Sequence, residues 1–256
     1  MRSIIVFLFL VVAVAQAQHA PGIVDEKKDA KHVKLDKPAP AEDPALAAYG
    51  IYAENAPVPE KGEPAATQLP LELSEGDRVA FVGNTLLDRG GQFGFFESML
   101  YQFHPDLNLR IRNFAWSADE VDLQPRPDNF ATVVQHLARE ETDVIFAAFG
   151  YNESFAGEEG TAAFKERLSS YLAEMKSSLF NGETGPQIVL ISPIANEDIE
   201  SVPGATMNNE RLALYVNAMS EVASEMEVGF ANVFTATRTA FDDPGSDLTI
   251  NGAHMT

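Results

Sequence analysis

The chain has 256 residues, of which 45% are hydrophobic and 22% are charged, and it has no cysteine. This length supports one sizeable globular core with some chain left over, and the lack of cysteine excludes disulfides. A formal charge of −20 argues against nucleic acid as a partner, because phosphate backbones attract clustered Lys and Arg. We interpret the acidic charge as a solubilising surface.

The first 17 residues have the pattern of a secretion signal. Arg2 precedes an apolar run from Ile4 to Val14, and Ala15-Gln16-Ala17 supplies the small residues of a cleavage site. The run is shorter than the roughly 20 apolar residues that a membrane-spanning helix needs. We therefore predict that residues 1–17 are a signal peptide, and that the mature protein is secreted or periplasmic without membrane insertion.

Residues 18–68 are rich in proline, alanine and charge, and they include the segment Pro38-Ala39-Pro40-Ala41. A segment of this composition buries too little apolar surface to offset the entropy lost on ordering. We predict a disordered tether here, followed by a folded domain over residues 69–256.

In the folded part, apolar runs suited to buried strands alternate with segments of helical periodicity. Strands are predicted at 79–83, 107–114, 143–149, 187–192 and 228–234. Helices are predicted at 93–103, 130–140, 160–180 and 208–226, and the glycine-containing stretch before residue 93 is predicted to be a loop. This alternation predicts an α/β fold, a three-layer α/β/α sandwich with a mainly parallel, roughly five-stranded sheet.

Polar residues follow several of the predicted strands, and active sites of open α/β sheets lie beyond the carboxyl ends of strands. From the residues alone, Thr85 is either a nucleophile just past a turn glycine or, with Asn84, part of a helix cap. Ser117 and Ser154 are alternative nucleophiles. The polar blocks are Gly83-Asn84-Thr85, Asn113 with Ser117, Gly150-Tyr151-Asn152-Glu153, and Asn251-Gly252-Ala253-His254.

In the order and spacing of these blocks, residues 71–256 resemble the SGNH hydrolase superfamily, also called GDSL-type esterases. The family's blocks are Gly-Asp-Ser, a glycine after the second strand, Gly-x-Asn-Asp and Asp-x-x-His. This chain has Gly83-Asn84-Thr85, then Ala115, then Gly150-Tyr151-Asn152-Glu153, then Asn251-Gly252-Ala253-His254. The segment that starts at Asn152 is also similar to secreted members from planctomycete-type bacteria.

The resemblance implies a flavodoxin-like SGNH hydrolase fold and an ester hydrolase that needs no metal and no organic cofactor. By position, Thr85 is the nucleophile, His254 the general base, and Asn251 the residue that orients the imidazole. The oxyanion hole would be formed by the Asn152 side chain and the backbone amides of Ala115 and Thr85. The substrate would be a small-molecule or carbohydrate ester. The residues predicted to bind it are Asn84, Trp116, Arg126 and Glu153.

This sequence departs from the family pattern at three blocks, where Thr85, Ala115 and Asn251 replace serine, glycine and aspartate. The methyl group of threonine restricts its rotamer and hinders attack. Asn251 has no charge to stabilise an imidazolium, and the same change in a serine protease lowers turnover about 10⁴-fold. Alternative carboxylates for this role are Asp242, Asp243 and Asp247.

Two further hypotheses follow from these departures and from the chain's organisation. The first is a catalytically impaired, hydrolase-like binding module (a pseudoenzyme) at the cell surface. The second is a domain of a larger cell-surface protein, held by residues 18–68. The chain also ends two residues after His254, where family members continue into a helix, so the resemblance predicts an incomplete C-terminal end.

Overall fold

A computed structural model describes residues 58–127, 130–200, 203–243 and 247–256. The predicted signal peptide and residues 18–57 of the predicted tether lie outside this range. Among the helices that are described, none is long and apolar enough to cross a membrane.

Five parallel strands form the central sheet. They are β2 (Arg78–Gly83), β3 (Arg110–Asn113), β4 (Val144–Ala148), β6 (Gln187–Ile191) and β7 (Gly229–Ala231). Their spatial order is β3-β2-β4-β6-β7. The central strand β4 is buried along its whole length, which explains its near-continuous apolar sequence.

Six α-helices cover the two faces of the sheet in the described part of the chain. They are α1 (Thr85–Phe93), α2 (Phe95–Phe103), α3 (Val133–Arg139), α4 (Thr161–Ser177), α5 (Ala205–Glu225) and α6 (Val233–Phe241). One hydrophobic cluster joins the sheet to α3, α4 and α5, and a second joins the opposite face to α1 and α2. The predicted three-layer α/β/α sandwich with a five-stranded parallel sheet is confirmed.

A small antiparallel pair extends the order into the predicted tether. Strand β1 (Glu60–Lys61) pairs with β5 (Ser178–Leu179), and Thr67 Oγ1 accepts a hydrogen bond from Ile188 N at 2.8 Å. The structure therefore places ordered chain ahead of the predicted boundary at residue 69. Hydrogen bonds rather than apolar burial hold this segment, so its composition gave no indication of it.

The stretch predicted as a glycine-containing loop is helical, since α1 runs through it to Phe93. Asn84 caps the first turn with its side chain, and Gly91 lies where β3 comes closest. A Cβ at Gly91 would be 2.6 Å from Asn113 Nδ2, which donates to Leu87 O at 2.8 Å. This glycine allows a close approach and does not break the helix.

The last predicted strand is also shorter than expected. β7 ends at Ala231, because the Asn232 side chain accepts a hydrogen bond from Thr235 N at 3.0 Å and starts α6. Residues 233 and 234, predicted as strand, are therefore the first turn of a helix.

The two glycines in the middle of α1 give a matched test of this packing. At Gly90 an added Cβ meets nothing within 4 Å, so Gly90→Ala is expected to raise the free energy of unfolding by about 0.5–1 kcal/mol. Gly91→Ala should be about 1–2 kcal/mol less stable than Gly90→Ala, because it displaces Asn113 from Leu87 O. Urea unfolding of both variants measures this difference. Equal stability of the two variants would contradict the role assigned to Gly91.

Candidate active site

The candidate nucleophile lies at the turn between β2 and α1. Gly83 has a φ of +108°, and an added Cβ there would collide with Ala148 O, so only glycine fits. Thr85 is the first residue of α1, and its backbone N–H has no hydrogen-bond partner among the described residues. That N–H is thus available to an anion at the helix N-terminus.

The backbone of Ala118 connects Thr85 to Asn152. Ala118 N donates to Thr85 Oγ1 at 3.2 Å, and Asn152 Nδ2 donates to Ala118 O at 2.9 Å. Ala118 has a φ of +67°, a left-handed conformation that alanine rarely adopts. The structure therefore brings the first and third blocks together through a residue that sequence analysis did not identify.

The fourth block forms a compact turn around Asn251. Asn251 Oδ1 accepts hydrogen bonds from Ala253 N at 3.2 Å and His254 N at 3.0 Å, and it lies 2.9 Å from His254 Nδ1. The two backbone donors identify the atom facing the ring as the amide oxygen, so Nδ1 carries the proton. Nε2 then keeps its lone pair, which is the tautomer that a general base needs.

Asn251 thus takes the position at the imidazole that an aspartate has in the family pattern. Its neutral oxygen fixes the ring and the tautomer without supplying negative charge. The structure shows this contact to the ring, rather than one from the alternative carboxylates Asp242, Asp243 and Asp247.

Arg89 connects the His254 segment to the helix that begins at Thr85. It lies four residues after Thr85 on α1, and its Nε donates to Met255 O at 3.2 Å. Burial and then the positive charge of Arg89 lower the pKa of His254 from its ordinary value of 6.5. The imidazole therefore stays neutral at more acidic pH than a free histidine does.

The predicted oxyanion donors differ in their availability. The backbone N–H of Ala115 donates to Asn113 Oδ1 at 3.0 Å, and the Asn152 side chain is bonded to Ala118 O. The Ala115 amide is thus engaged by the protein's own oxygen, the Asn152 amide group uses one of its two N–H donors, and the Thr85 amide is not engaged. A substrate oxyanion would have to displace Asn113 Oδ1 from the Ala115 amide, whereas the second N–H of Asn152 has no acceptor among the described residues.

Trp116 lies next to the nucleophile turn, because its backbone N donates to Gly83 O at 2.8 Å. Its side chain is 45% exposed, as is that of Phe130, whose ring meets the indole edge-on at a centroid distance of 5.8 Å. Arg126 Cζ lies 4.6 Å from the centroid of the indole ring. The exposed surface of these two aromatic residues is available to a ligand.

Arg126 itself is held by a buried carboxylate. Its Nη1 and Nη2 donate to the two Asp119 oxygens at 2.8 and 2.6 Å, and Asp119 is only 1% exposed. A bidentate pair of this kind uses the guanidinium fork fully on one side. Arg126 therefore packs against the Trp116 ring. This geometry does not favour the predicted direct contact between Arg126 and a substrate.

Asn84 and Glu153, predicted to bind substrate, are both buried at 4% exposure. Asn84 caps α1, which was the structural alternative for this residue. Glu153 Oε2 accepts from Gly150 N at 2.9 Å and its Oε1 from Val121 N at 3.1 Å. These bonds fix the loops on either side of the turn, so both side chains shape the site from behind.

The alternative serine nucleophiles occupy different settings. Ser117 Oγ donates to Asp88 Oδ2 at 2.5 Å. Asp88 lies on α1, about one helical turn after Thr85. Ser154 is buried, and its Oγ donates to Tyr151 O at 2.6 Å. Ser117 alone is thus near the turn with a carboxylate partner. No group of three or more His, Asp or Glu among the described residues is arranged to hold a metal ion.

The solved structures similar to this chain include esterases. An acetylxylan esterase from Geobacillus stearothermophilus has a TM-score of 0.55 and 19% identity, over 73% of this chain and 90% of that one. A protein described as a GDSL-like lipase from Parabacteroides merdae has a TM-score of 0.58 and 19% identity, over 72% and 90%. A gut microbial diltiazem-metabolizing enzyme has a TM-score of 0.53 and 21% identity, over 74% of this chain and 45% of that one.

These likenesses confirm the SGNH hydrolase fold. Catalytic mutants of the acetylxylan esterase replace a serine, an aspartate and a histidine three positions after that aspartate. No family model and no curated protein matches this sequence.

The depressed pKa of His254 gives a prediction about pH. We expect any His254-dependent activity to persist below pH 6.5, because the neutral base remains available there. Arg89→Gln should raise the pKa of His254, since it removes a nearby positive charge, although the lowering by burial remains. An NMR titration of the His254 ring measures the shift. Arg110→Gln, at the amino-terminal end of β3, is the control, and an equal shift in both variants would rule out the assigned cause.

Glu153 gives a second prediction, on stability. Burial raises its pKa from 4.5 to about 7, although hydrogen bonds from the backbone of Val121 and Gly150 oppose the shift. The stability it contributes is therefore present below pH 4.5 and is lost as pH rises through 7, by on the order of 3 kcal/mol. Glu153→Gln should remove this pH dependence between pH 5 and 8, as measured by urea unfolding, while the exposed Glu158→Gln should keep it. Parallel pH profiles for wild type and Glu153→Gln would contradict this assignment.

Proposed function

We propose that this chain is an exported ester hydrolase of the SGNH type that deacylates carbohydrate esters. The observation that carries the proposal is the Asn251–His254 turn, which holds the imidazole in the tautomer of a general base. The esterases that share the fold support the reaction type, and one of them carries its catalytic acid and histidine at the same spacing. The signal-like residues 1–17 support export.

The proposed reaction is a two-step acyl transfer. Thr85 Oγ attacks the ester carbonyl while His254 Nε2 takes the hydroxyl proton, giving a tetrahedral oxyanion near the Thr85 amide. Collapse breaks the ester C–O bond, and the imidazolium gives its proton to the leaving alcohol. Water then attacks the acyl-threonine with the same base, releasing the acid and restoring Thr85.

The exposed aromatic pair favours a carbohydrate as the alcohol part of the substrate. Trp116 is bonded to the nucleophile turn through Gly83 O, and together with Phe130 it offers exposed aromatic surface. Aromatic rings of this kind pack against the apolar faces of sugar rings. An acetylated xylan is the substrate class named for one enzyme of the same fold.

A hydrolase-like binding module is the second candidate. It is favoured by the engagement of the Ala115 amide with an internal acceptor, Asn113 Oδ1. A site used only for binding would not need that donor for an oxyanion. Among the described residues the side-chain partner of the His254 ring is the neutral Asn251, which agrees with this alternative.

Ester hydrolysis by a set of variants separates the two candidates. With acetylated xylo-oligosaccharides and a short-chain aryl ester, Thr85→Ala and His254→Ala should each lower kcat/KM by at least about 10²-fold. Thr85→Ser should raise it, because serine removes the hindering methyl group. The exposed Thr235→Ala on α6 is the matched control and should change nothing.

Other outcomes are equally informative. Loss of activity in Ser117→Ala but not in Thr85→Ala would identify Ser117, and not Thr85, as the nucleophile. No turnover by any variant, with saturable oligosaccharide binding by all of them, would establish the binding module. Activity that none of these substitutions changes would overturn the site assignment.

A further inference from the structure

A buried acid from a distant part of the chain holds the segment that carries His254. Glu197 lies in the connection after β6 and is 2% exposed. Its Oε1 accepts from Leu248 N at 3.1 Å, and its Oε2 accepts from Thr249 N at 2.8 Å and from Thr249 Oγ1 at 2.5 Å. One carboxylate thus binds two successive backbone N–H groups just ahead of Asn251.

Backbone bonds on the other side of the turn complete this attachment. Glu197 N donates to Gly252 O at 2.8 Å, and Asn196 Nδ2 donates to the same oxygen at 3.0 Å. Gly252 N in turn donates to Thr249 Oγ1 at 2.9 Å. The attachment therefore lies immediately before and after Asn251, the residue that contacts the imidazole.

The fit at this point leaves little freedom. Gly252 has a φ of +81°, and an added Cβ would lie 2.9 Å from Glu197 O. Taking a carboxylate out of water is costly unless donors satisfy it, and the backbone and hydroxyl donors at residues 248 and 249 do so here. Because the hydrogen bonds are charge-assisted, they are stronger than neutral ones.

Apolar packing does not provide an alternative support for this turn. Within residues 247–256 no hydrophobic side chain is buried, and the described backbone pairing inside the segment is one isolated bridge between Thr249 and Met255. The orientation of the Asn251 turn therefore depends on polar contacts with the rest of the domain.

We propose that Glu197 is the positioning residue for His254. It acts through Thr249 and Gly252, which hold the Asn251 turn so that Oδ1 faces Nδ1 of the ring. The importance of this role for catalysis rests on the proposed function, whereas its effect on the ring does not. A glutamine at this position cannot accept both backbone N–H groups, because its amide nitrogen is itself a donor.

The test observes the His254 ring directly. In ¹⁵N–¹H NMR spectra of the whole chain, with the ring signal assigned by its loss in His254→Gln, wild type should show the Nδ1–H tautomer and a pKa below 6.5. In Glu197→Gln the tautomer should become mixed and the pKa should move toward 6.5. Asp198→Asn, at the exposed neighbouring residue, should leave both unchanged.

Thr249→Val provides a milder variant if Glu197→Gln reduces stability. It keeps the side-chain shape but removes the hydroxyl that donates to Glu197 and accepts from Gly252 N. The change in tautomer should go in the same direction and be smaller. Urea unfolding checks that each variant is folded under the NMR conditions.

Kinetics separates this proposal from the proposed function. If the chain hydrolyses esters, Glu197→Gln should lower kcat at least about tenfold with KM nearly unchanged, because the base and not the binding surface is displaced. A changed ring signal without any esterase activity in wild type would sink the proposed function and leave the positioning role intact. A ring signal that Glu197→Gln and Thr249→Val both leave unchanged overturns the positioning role, whatever the activity.

Discussion

The candidate site depends on the peptide groups of one residue in an unusual conformation. Ala118 is held with a positive φ so that its N–H reaches Thr85 Oγ1 and its carbonyl reaches Asn152. The left-handed conformation costs alanine on the order of 1–2 kcal/mol, which the surrounding bonds offset. Trp116 N on Gly83 O and Val121 N on Glu153 anchor the same loop at both ends. Three chain segments, residues 83–85, 116–121 and 150–153, are thus joined by hydrogen bonds at the end of β2.

Hydrogen bonds also hold the other half of the candidate site, the segment that carries His254. The His254 segment is attached through Arg89 on α1 and through Glu197 after β6, so a basic and an acidic side chain from different elements fix its backbone. Asn251 Oδ1 contacts His254 Nδ1, so the position of this backbone determines the orientation of the imidazole ring. A chain with no cysteine has no covalent cross-link for this purpose, and charge-assisted hydrogen bonds take its place.

The layers of the fold follow from the sequence because buried strands and amphipathic helices leave strong local patterns, as in the run that became β4. The loop prediction for residues of α1 was wrong because it took the glycines as helix breakers. Gly91 instead allows a close contact with Asn113 on another strand, which the local sequence does not indicate. The local sequence does not predict the roles of Ala118 and Glu197. An alanine gives no indication of a positive φ, and the hydrogen-bond partners of Glu197 are more than 50 residues away in the chain. Burial distinguished the helix cap Asn84 from a ligand contact, and burial is a tertiary property.

The polar attachment of residues 247–256 has a consequence for the thermal behaviour of the candidate site. Segments without buried apolar side chains open at a lower free energy than the core does, and this one places no hydrophobic side chain in the core. On warming, the histidine segment should therefore detach in a local opening while the sheet remains intact. Loss of the proposed activity and unfolding of the sheet would then be separate events, and molecules with an intact sheet would lack the base in its position.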